Sequence, residues 1–421
     1  MATKVESVYK LLCSCNQYPW GKTGSESISA RLCQNQQGWD GDGPGTKFKI
    51  DESKPYAEMW MGTYPVLPSY VEDSGEDLQD VLDRYPKDLI GEETIKKFGH
   101  SKLPYLPKVL SIAKALPLQL HPDKERSAKL HQQKPDAFTD PNHKPEIALA
   151  LSKFEAFCGF NPLADIAELL KLEPLQRFVQ QKQLSDFSNE QLRAVVREML
   201  LAEQDTVRDV YNGLTKLPES KFGKYNHIPK LAPRLADQYG ETDPGILVAL
   251  VTMNYLVLQP GDSIYIPADG IHAYLAGDII ECMARSNNVL NTGFCPRADR
   301  SNIDLFVECL TFTPHSAEEC MLKPKLYERG KNGKTQIYAP PMSEFDMLQT
   351  ELGPGDQETL GAAGGPSILL ATRGSGTLLA GGKSYPLHEG AVYFIAHGVD
   401  LEVDSKDGLL LHTAIVEGST K

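Results

Sequence analysis

The sequence has no run of about eighteen apolar residues, no CxxC pair and no excess of basic charge. The first absence excludes a helix long and apolar enough to cross a bilayer. The opening residues, MATKVESVYKLLCSC, also lack the apolar segment of a secretory signal, so a cytoplasmic location is expected. The second bears on Cys13, Cys15, Cys33, Cys158, Cys282, Cys295, Cys309 and Cys320. Without paired thiolate spacing these read as reduced thiols used mainly in packing, and the close pair Cys13 and Cys15 is weak ground for a thiolate metal site. The third absence follows from 43 basic against 56 acidic residues, a net charge of −13. That balance disfavours nucleic acid and acidic membrane surfaces as partners, so an anionic ligand needs a local cluster of Lys and Arg. Low-complexity tails and heptad patterning are missing too, and a monomer is expected.

What is present is enough apolar content, 41% of 421 residues, to bury cores in two or three domains. Residues 161–253 carry helical periodicity. Asn161 before Pro162 reads as an N-cap with proline at the first helical position. Ser188 with Gln191 reads as a capping box ahead of a stripe of Leu192, Val195, Val196, Met199 and Leu200. Strand and turn signals lie on either side of this block. LQPGDSIYI at 258–266 and LHEGAVYFI at 387–395 share their Leu, Gly and Ile positions and an aromatic before the Ile, which suggests two barrels of related, cupin or jelly-roll architecture. The Gly-rich stretch 351–367 reads as an exposed loop. The fold class expected is therefore mainly β with a helical insertion. Its parts are a cupin-like catalytic domain (1–160 and 254–315), a helical domain (161–253) and a C-terminal jelly roll (316–421).

In ALPLQLHPDK, residues 115–124, Leu116, Leu118 and Leu120 alternate with Pro117, Gln119 and His121, so a strand here sets Gln119 beside His121 on one face. Downstream, Glu146 opens another alternating segment, and Pro145 holds Lys144 extended so that Lys144 and Glu146 point the same way. The stretch from Gly261 through Pro267 to His272 keeps the Gly-to-Pro and Pro-to-His spacing of the second cupin motif, though its inner glycine, Gly270, sits one place late, and Gln119–Leu120–His121 stands where the first motif has HxH. Gln119, His121, Glu146 and His272 together offer two imidazoles, a carboxylate and an amide oxygen, a set suited to zinc. A single carboxylate leaves the centre with residual positive charge for polarising a carbonyl. By spacing alone, core or surface histidines remain the alternative.

The blocks YPWGKTGSESISA, YAEMWMGTYP, KVLSIAKALPLQLHPDK, DPNHKPEIALALSKFEAFCGF and HAYLAGDIIECMA, which span most of residues 15–300, resemble type I mannose-6-phosphate isomerases, the fungal members in particular. The resemblance implies interconversion of mannose 6-phosphate and fructose 6-phosphate through an enediol. It also implies one Zn2+ per chain on Gln119, His121, Glu146 and His272, and a small sugar phosphate as ligand, with a role in GDP-mannose synthesis or mannose catabolism. For proton transfer the candidates are Lys144 and Glu281, with His143 less favoured; a structural ion pair is the alternative for Glu281. Arg285, Arg297 and Arg300 are the candidates for phosphate.

One region departs from the family pattern, which reads approximately MAxSDNVxRAGxTPK. Here Asn287 replaces the aspartate, Asn291 the arginine proposed as catalytic in the family, Thr292 the alanine, Cys295 the threonine and Arg297 the lysine. The loss of an acid and a base at Asn287 and Asn291 reads as the removal of an ion pair, with Arg297 or Arg300 taking over the positive charge. The competing expectations are a catalytically weakened cupin that binds sugar phosphate without turnover and a cupin oxygenase using iron.

Overall fold

The computed structural model describes residues 5–36 and 46–417. Its strands form two ten-stranded, largely antiparallel sheets and one two-stranded ribbon. In the first sheet the long His272–Ala284 strand is central, pairing with Tyr105–Ile112, Glu146–Ala150, Phe154–Phe160 and Leu118–Leu120. Side-chain alternation then divides the residues among three environments. Leu110, Ala148, Ala150, Ala156, Ile264, Tyr274 and Ile279 fill the interior of the barrel. Val109, Ile147, Leu149, Ile280 and Cys282 point outward against Met347, Ile368, Val392 and Phe394 of the second sheet. Leu118, Leu120, Phe157, Ala273 and Leu275 turn toward the helices.

The central strand changes face partway along. Tyr274 points inward at an even position, whereas Ile279 is inward at an odd one, so the alternation must slip between them. The slip lies between Tyr274 and Ala276, where one extra residue opposes Ala156 and Glu155, and directly after it comes Gly277, with φ +119°. There a Cβ would stand 2.5 Å from the Lys153 carbonyl oxygen. This irregularity lets His272 and Glu281, nine positions apart, serve the same interior.

The helices from Leu163–Leu169 to Pro244–Thr252 lie between strands of the first sheet in the chain. Ser188 and Gln191 form the capping box, and the expected stripe is buried in the helix Asn189–Leu201. Asn161, expected as an N-cap, lies one place too early. Pro162 occupies the cap position, and the Asn161 amide instead donates to the Met253 carbonyl at 2.8 Å, because the chain leaves a buried strand there. Helix Pro244–Thr252 is buried along its length and docks on the Leu290–Gly293 strand where Gly245 meets Gly293. Only glycines allow that approach, since a Cβ on Gly293 would lie 2.5 Å from the Gly245 Cα.

The second sheet runs from Lys325–Leu326 to Leu401–Ile415 but also recruits Val8–Leu12 and Tyr70–Val71. Val8–Leu12 pairs antiparallel with Val392–Ile395. These two strands from the N-terminal part of the chain thus join the C-terminal sheet, where their apolar residues cover an edge that would otherwise be open. The repeated turn-and-strand unit occurs once in each sheet, with Gly261 at φ +91° and Gly390 at φ +90°. The 351–367 stretch is less of a loop than its glycines suggest, since Gln357–Leu360 forms a strand against Leu401–Ile415. Among the described residues no helix is long and apolar enough to cross a membrane.

Candidate metal centre

Two strands, begun by Glu146 and His272, and the loop that follows Leu118–Leu120 bring His121, Glu146 and His272 together inside the first barrel, with one ligand atom of each within 4.8 Å of the others. All three are buried. The second nitrogen of each ring is fixed: His121 Nδ1 lies 2.7 Å from the Asn288 carbonyl and His272 Nδ1 2.9 Å from the Gly270 carbonyl. Since a carbonyl only accepts, both Nδ1 atoms donate and both Nε2 atoms carry lone pairs. Those lone pairs face the Glu146 carboxylate, at 3.2 Å from His121 and 3.6 Å from His272. Neither Nε2 has a hydrogen-bond donor. Buried acceptors facing a carboxylate repel one another unless a cation lies between them, so the arrangement fits a divalent ion. The carbonyl contacts are the outer partners that metal-bound histidines ordinarily have.

The electrostatics agree with this reading. Burial, and then the Lys144 ammonium, push His121 down to about 4. Burial likewise lowers His272. For Glu146 burial acts upward, but Lys144 and the histidines outweigh it and hold the carboxyl well below its usual range. Two neutral imidazoles and an ionised carboxylate are the protonation states that metal ligands require.

Gln119 lies in register with His272 on one side and Asn291 on the other. Directly paired residues share a face, so the amide belongs to the same interior as the three ligands. Lys144 reaches that interior too, with Nζ 3.0 Å from Glu146 Oε1. Glu281 lies one layer away, its Oε1 accepting from Lys108 Nζ at 2.9 Å. Burial, then the charge of Glu146, raise the Glu281 carboxyl to about 7 against the opposing pull of Lys108. Lys108 had no place in the sequence reading. It stacks over the Trp60 ring at 5.0 Å, and Glu58 accepts from the Trp60 indole at 2.6 Å, so a buried lysine links three acidic side chains to the centre. Its one sequence signal is a lysine within the otherwise apolar YLPKVLSI strand.

The three arginines go to three different sets of partners. Arg285 donates to the Thr63 hydroxyl and carbonyl at 3.1 and 3.0 Å and lies over the Tyr64 ring. It lines a cleft of about 690 Å³ together with Tyr64, His100, Lys102, Lys124 and Asn287. Arg300 is committed elsewhere: Nη2 lies 2.8 Å from Asp243, whose carboxylate also accepts from the Gly245 and Phe294 amides. Arg297 is exposed, and with the Gln204 amide oxygen turned toward it, its guanidinium donates there at 3.1 and 2.6 Å. The expected cluster therefore disperses, because the chain turns through the one-turn helix Arg297–Asp299 toward the helices. His143, 2.6 Å from Glu344, is tied to the C-terminal part. Asn287 exchanges hydrogen bonds with Thr139, while the Asn291 backbone amide donates to Ser301.

Comparison with known proteins agrees with this geometry. Residues 8–163 match the model of the phosphomannose isomerase type I catalytic domain and residues 336–383 that of the type I C-terminal domain. Mannose-6-phosphate isomerase of Saccharomyces cerevisiae is 34% identical, over 95% of this chain and 96% of its own. That of Schizosaccharomyces pombe is 35% identical, over 94% and 97%. The crystal structure of mannose 6-phosphate isomerase from Salmonella typhimurium bound to fructose 6-phosphate and zinc has the same fold, with a TM-score of 0.81 over 98% of this chain and 100% of that one at 24% identity. With identity sustained along nearly the whole chain and both domain models matched, the chain belongs to the type I phosphomannose isomerases.

Proposed function

We propose that the chain is a zinc-dependent isomerase that interconverts mannose 6-phosphate and fructose 6-phosphate. In this reading it is a cytoplasmic monomer whose products feed GDP-mannose synthesis or mannose catabolism. The observation that carries the reading is the buried His121–Glu146–His272 set with both Nε2 lone pairs turned on one carboxylate, in a chain of this family. Zinc, when bound, would supply Lewis-acid stabilisation of negative charge on a sugar oxygen.

The chain's own residues would do the rest. Gln119 is the ligand that adds no charge. Glu281, raised to about 7, suits proton transfer near neutrality, and Lys144 is the second candidate. Lys108 fixes the Glu281 carboxylate by hydrogen bond. Arg285, with Lys102 and Lys124 along the same cleft, offers the cationic surface that a phosphate needs, and holding the phosphate there orients the sugar.

Asn291 supports a second reading, a sugar-phosphate binder of weak turnover, because a neutral amide stands beside Gln119 where the family pattern has a guanidinium. A coupled assay following fructose 6-phosphate formation from mannose 6-phosphate separates the two. Turnover abolished by chelator and restored by zinc is expected; binding of the sugar phosphate to zinc-loaded protein without turnover would establish the second reading instead.

A further inference from the structure

Two loops meet beside the metal set. One, residues 285–289, joins the His272–Ala284 strand to Leu290–Gly293. The other leads into the strand that begins at Glu146. The Asp140 carboxylate, in this second loop, ties them together. Its Oδ1 accepts from the Ser286 hydroxyl and from the Asn142 amide, both at 2.9 Å, and its Oδ2 accepts from the Asn287 amide at 2.9 Å. The Asn142 bond is the turn contact an aspartate commonly makes with the amide two residues on. The bonds from Ser286 and Asn287 are of another kind, since they join segments far apart in the chain.

Asn288 is thereby held on both sides. Its backbone amide donates to the Ser286 hydroxyl oxygen at 3.2 Å, and its Nδ2 donates to the Asp140 and Asn142 carbonyls at 2.8 and 2.9 Å. Both Ser286 and Asn288 are buried. The Asn288 carbonyl is left to accept the Nδ1 proton of His121, at 2.7 Å. In this the two histidines of the metal set differ. His272 Nδ1 donates to the Gly270 carbonyl two residues back, within its own turn. His121 donates to a residue 167 positions further along the chain, so its orientation depends on how the two loops meet.

We propose that Asp140 is a positioning residue for the metal centre, holding His121 through Ser286 and Asn288. An outer acceptor on Nδ1 fixes the tautomer and the ring plane of a metal-binding histidine and strengthens its Nε2 as a donor. Without the Asp140 carboxylate, the Ser286 hydroxyl and the Asn287 amide lose their acceptor, the 285–289 loop relaxes, and the carbonyl no longer holds the imidazole. Loss of such an outer partner costs about 10–100-fold in metal affinity. Asp140 acts one residue further out, and Asn288 Nδ2 keeps its two backbone acceptors, so the lower end of that range is expected.

The inference rests on His121, Glu146 and His272 being zinc ligands, and its test separates the two failures. Full-length parent, Asp140→Ala, Asp140→Asn and Thr139→Val are stripped of metal, checked for native circular dichroism, and titrated with zinc against a chromogenic chelator. The dissociation constant should rise about tenfold in Asp140→Ala. It should rise less in Asp140→Asn, which keeps one acceptor oxygen but turns an amide toward the Asn287 N–H. Thr139→Val, which loses only the exchange with the Asn287 side chain, should leave it unchanged. A parent that binds no zinc overturns the metal reading together with this inference. A parent that binds zinc no more tightly than Asp140→Ala overturns the inference alone, as does an equal rise in Thr139→Val. The visible absorption of the cobalt-substituted proteins reads coordination geometry, which a loss of stability alone would not alter. It should change in Asp140→Ala and return toward the parent in Asp140→Asn; a parental spectrum in Asp140→Ala overturns the role given to Asp140. If Asp140→Ala does not fold, Asp140→Asn carries the test, and an unchanged zinc constant there overturns the proposal.

Discussion

The Lys108–Glu281 pair allows a structural ion pair to be told from a catalytic one. Both side chains are nearly sealed from solvent, 7% and 6% exposed, at 2.9 Å. Replacing Glu281 by Leu leaves the Lys108 ammonium buried without its hydrogen-bond partner, and breaking such a pair costs about 3–5 kcal/mol. Glu58 and Glu146 still act on Lys108, and the Trp60 ring lies 5.0 Å from its Nζ, so the lower end, about 3 kcal/mol, is expected. Replacing both partners, as K108M/E281L, removes the stranded charge and should return the protein to within about 1 kcal/mol of the parent. Urea titration of the metal-loaded protein measures all four corners of the cycle. Turnover, measured in parallel, should fall at least about a hundredfold in the single Glu281 variant and stay there in the double one. A single-variant cost below about 1 kcal/mol would refute the claim that the pair is desolvated. Turnover recovered in the double variant would remove Glu281 from the mechanism.

Glu146→Ala should purify without zinc while Gln119→Leu keeps part of it, as read by metal analysis, because the carboxylate is the one charged ligand of the set and the amide a neutral one. Arg300→Ala should destabilise by about 3 kcal/mol, since it strands the buried Asp243 carboxylate, yet leave KM for mannose 6-phosphate unchanged; Arg285→Ala should instead raise KM about tenfold with the melting temperature held. In the second barrel His412 is pushed down to about 3 by burial, with Arg373 acting the same way. A folded-state value below the unfolded one gives stability that is present above about pH 6.5 and lost as pH falls toward 3. The slope contributed is at most about 1.4 kcal/mol per pH unit, and His412→Asn should flatten it in pH-dependent urea melts.

Sequence periodicity conveyed much of the architecture. The capping box at Ser188, the stripe behind it and the twin Gly261 and Gly390 turns are local features, and local pattern is what a sequence displays. The assignment of Val8–Leu12 to the second sheet was hidden for the opposite reason. Its partner, Val392–Ile395, lies at the other end of the chain, and an alternating VYKLL fits either barrel equally well. Asn161 failed as a cap because its amide was needed by a carbonyl ninety-two residues away, a demand that cannot be read from neighbours in sequence.

The site divides along the same line. Gln119 with His121, and Lys144 with Glu146, are pairs two residues apart on single strands, so strand geometry alone sets them on one face. The arginines failed that logic because nearness in sequence carried no common face: after the Leu290–Gly293 strand the chain turns, and Arg300 meets a carboxylate that caps a helix. Glu281 was ambiguous for a physical reason. Its strand is continuous with His272, and simple alternation over nine positions would set the two on opposite faces, so only the bulge between Tyr274 and Ala276, just before Gly277, makes Glu281 and the metal ligands inward together. A glycine in HAYLAGDIIECMA is the one visible trace of that slip. Once it is recognised, the inward set on this strand becomes His272, Tyr274, Ile279 and Glu281, and the buried lysine on the neighbouring strand acquires a reason to be there: it is the counter-charge that lets a second carboxyl be held beside Glu146.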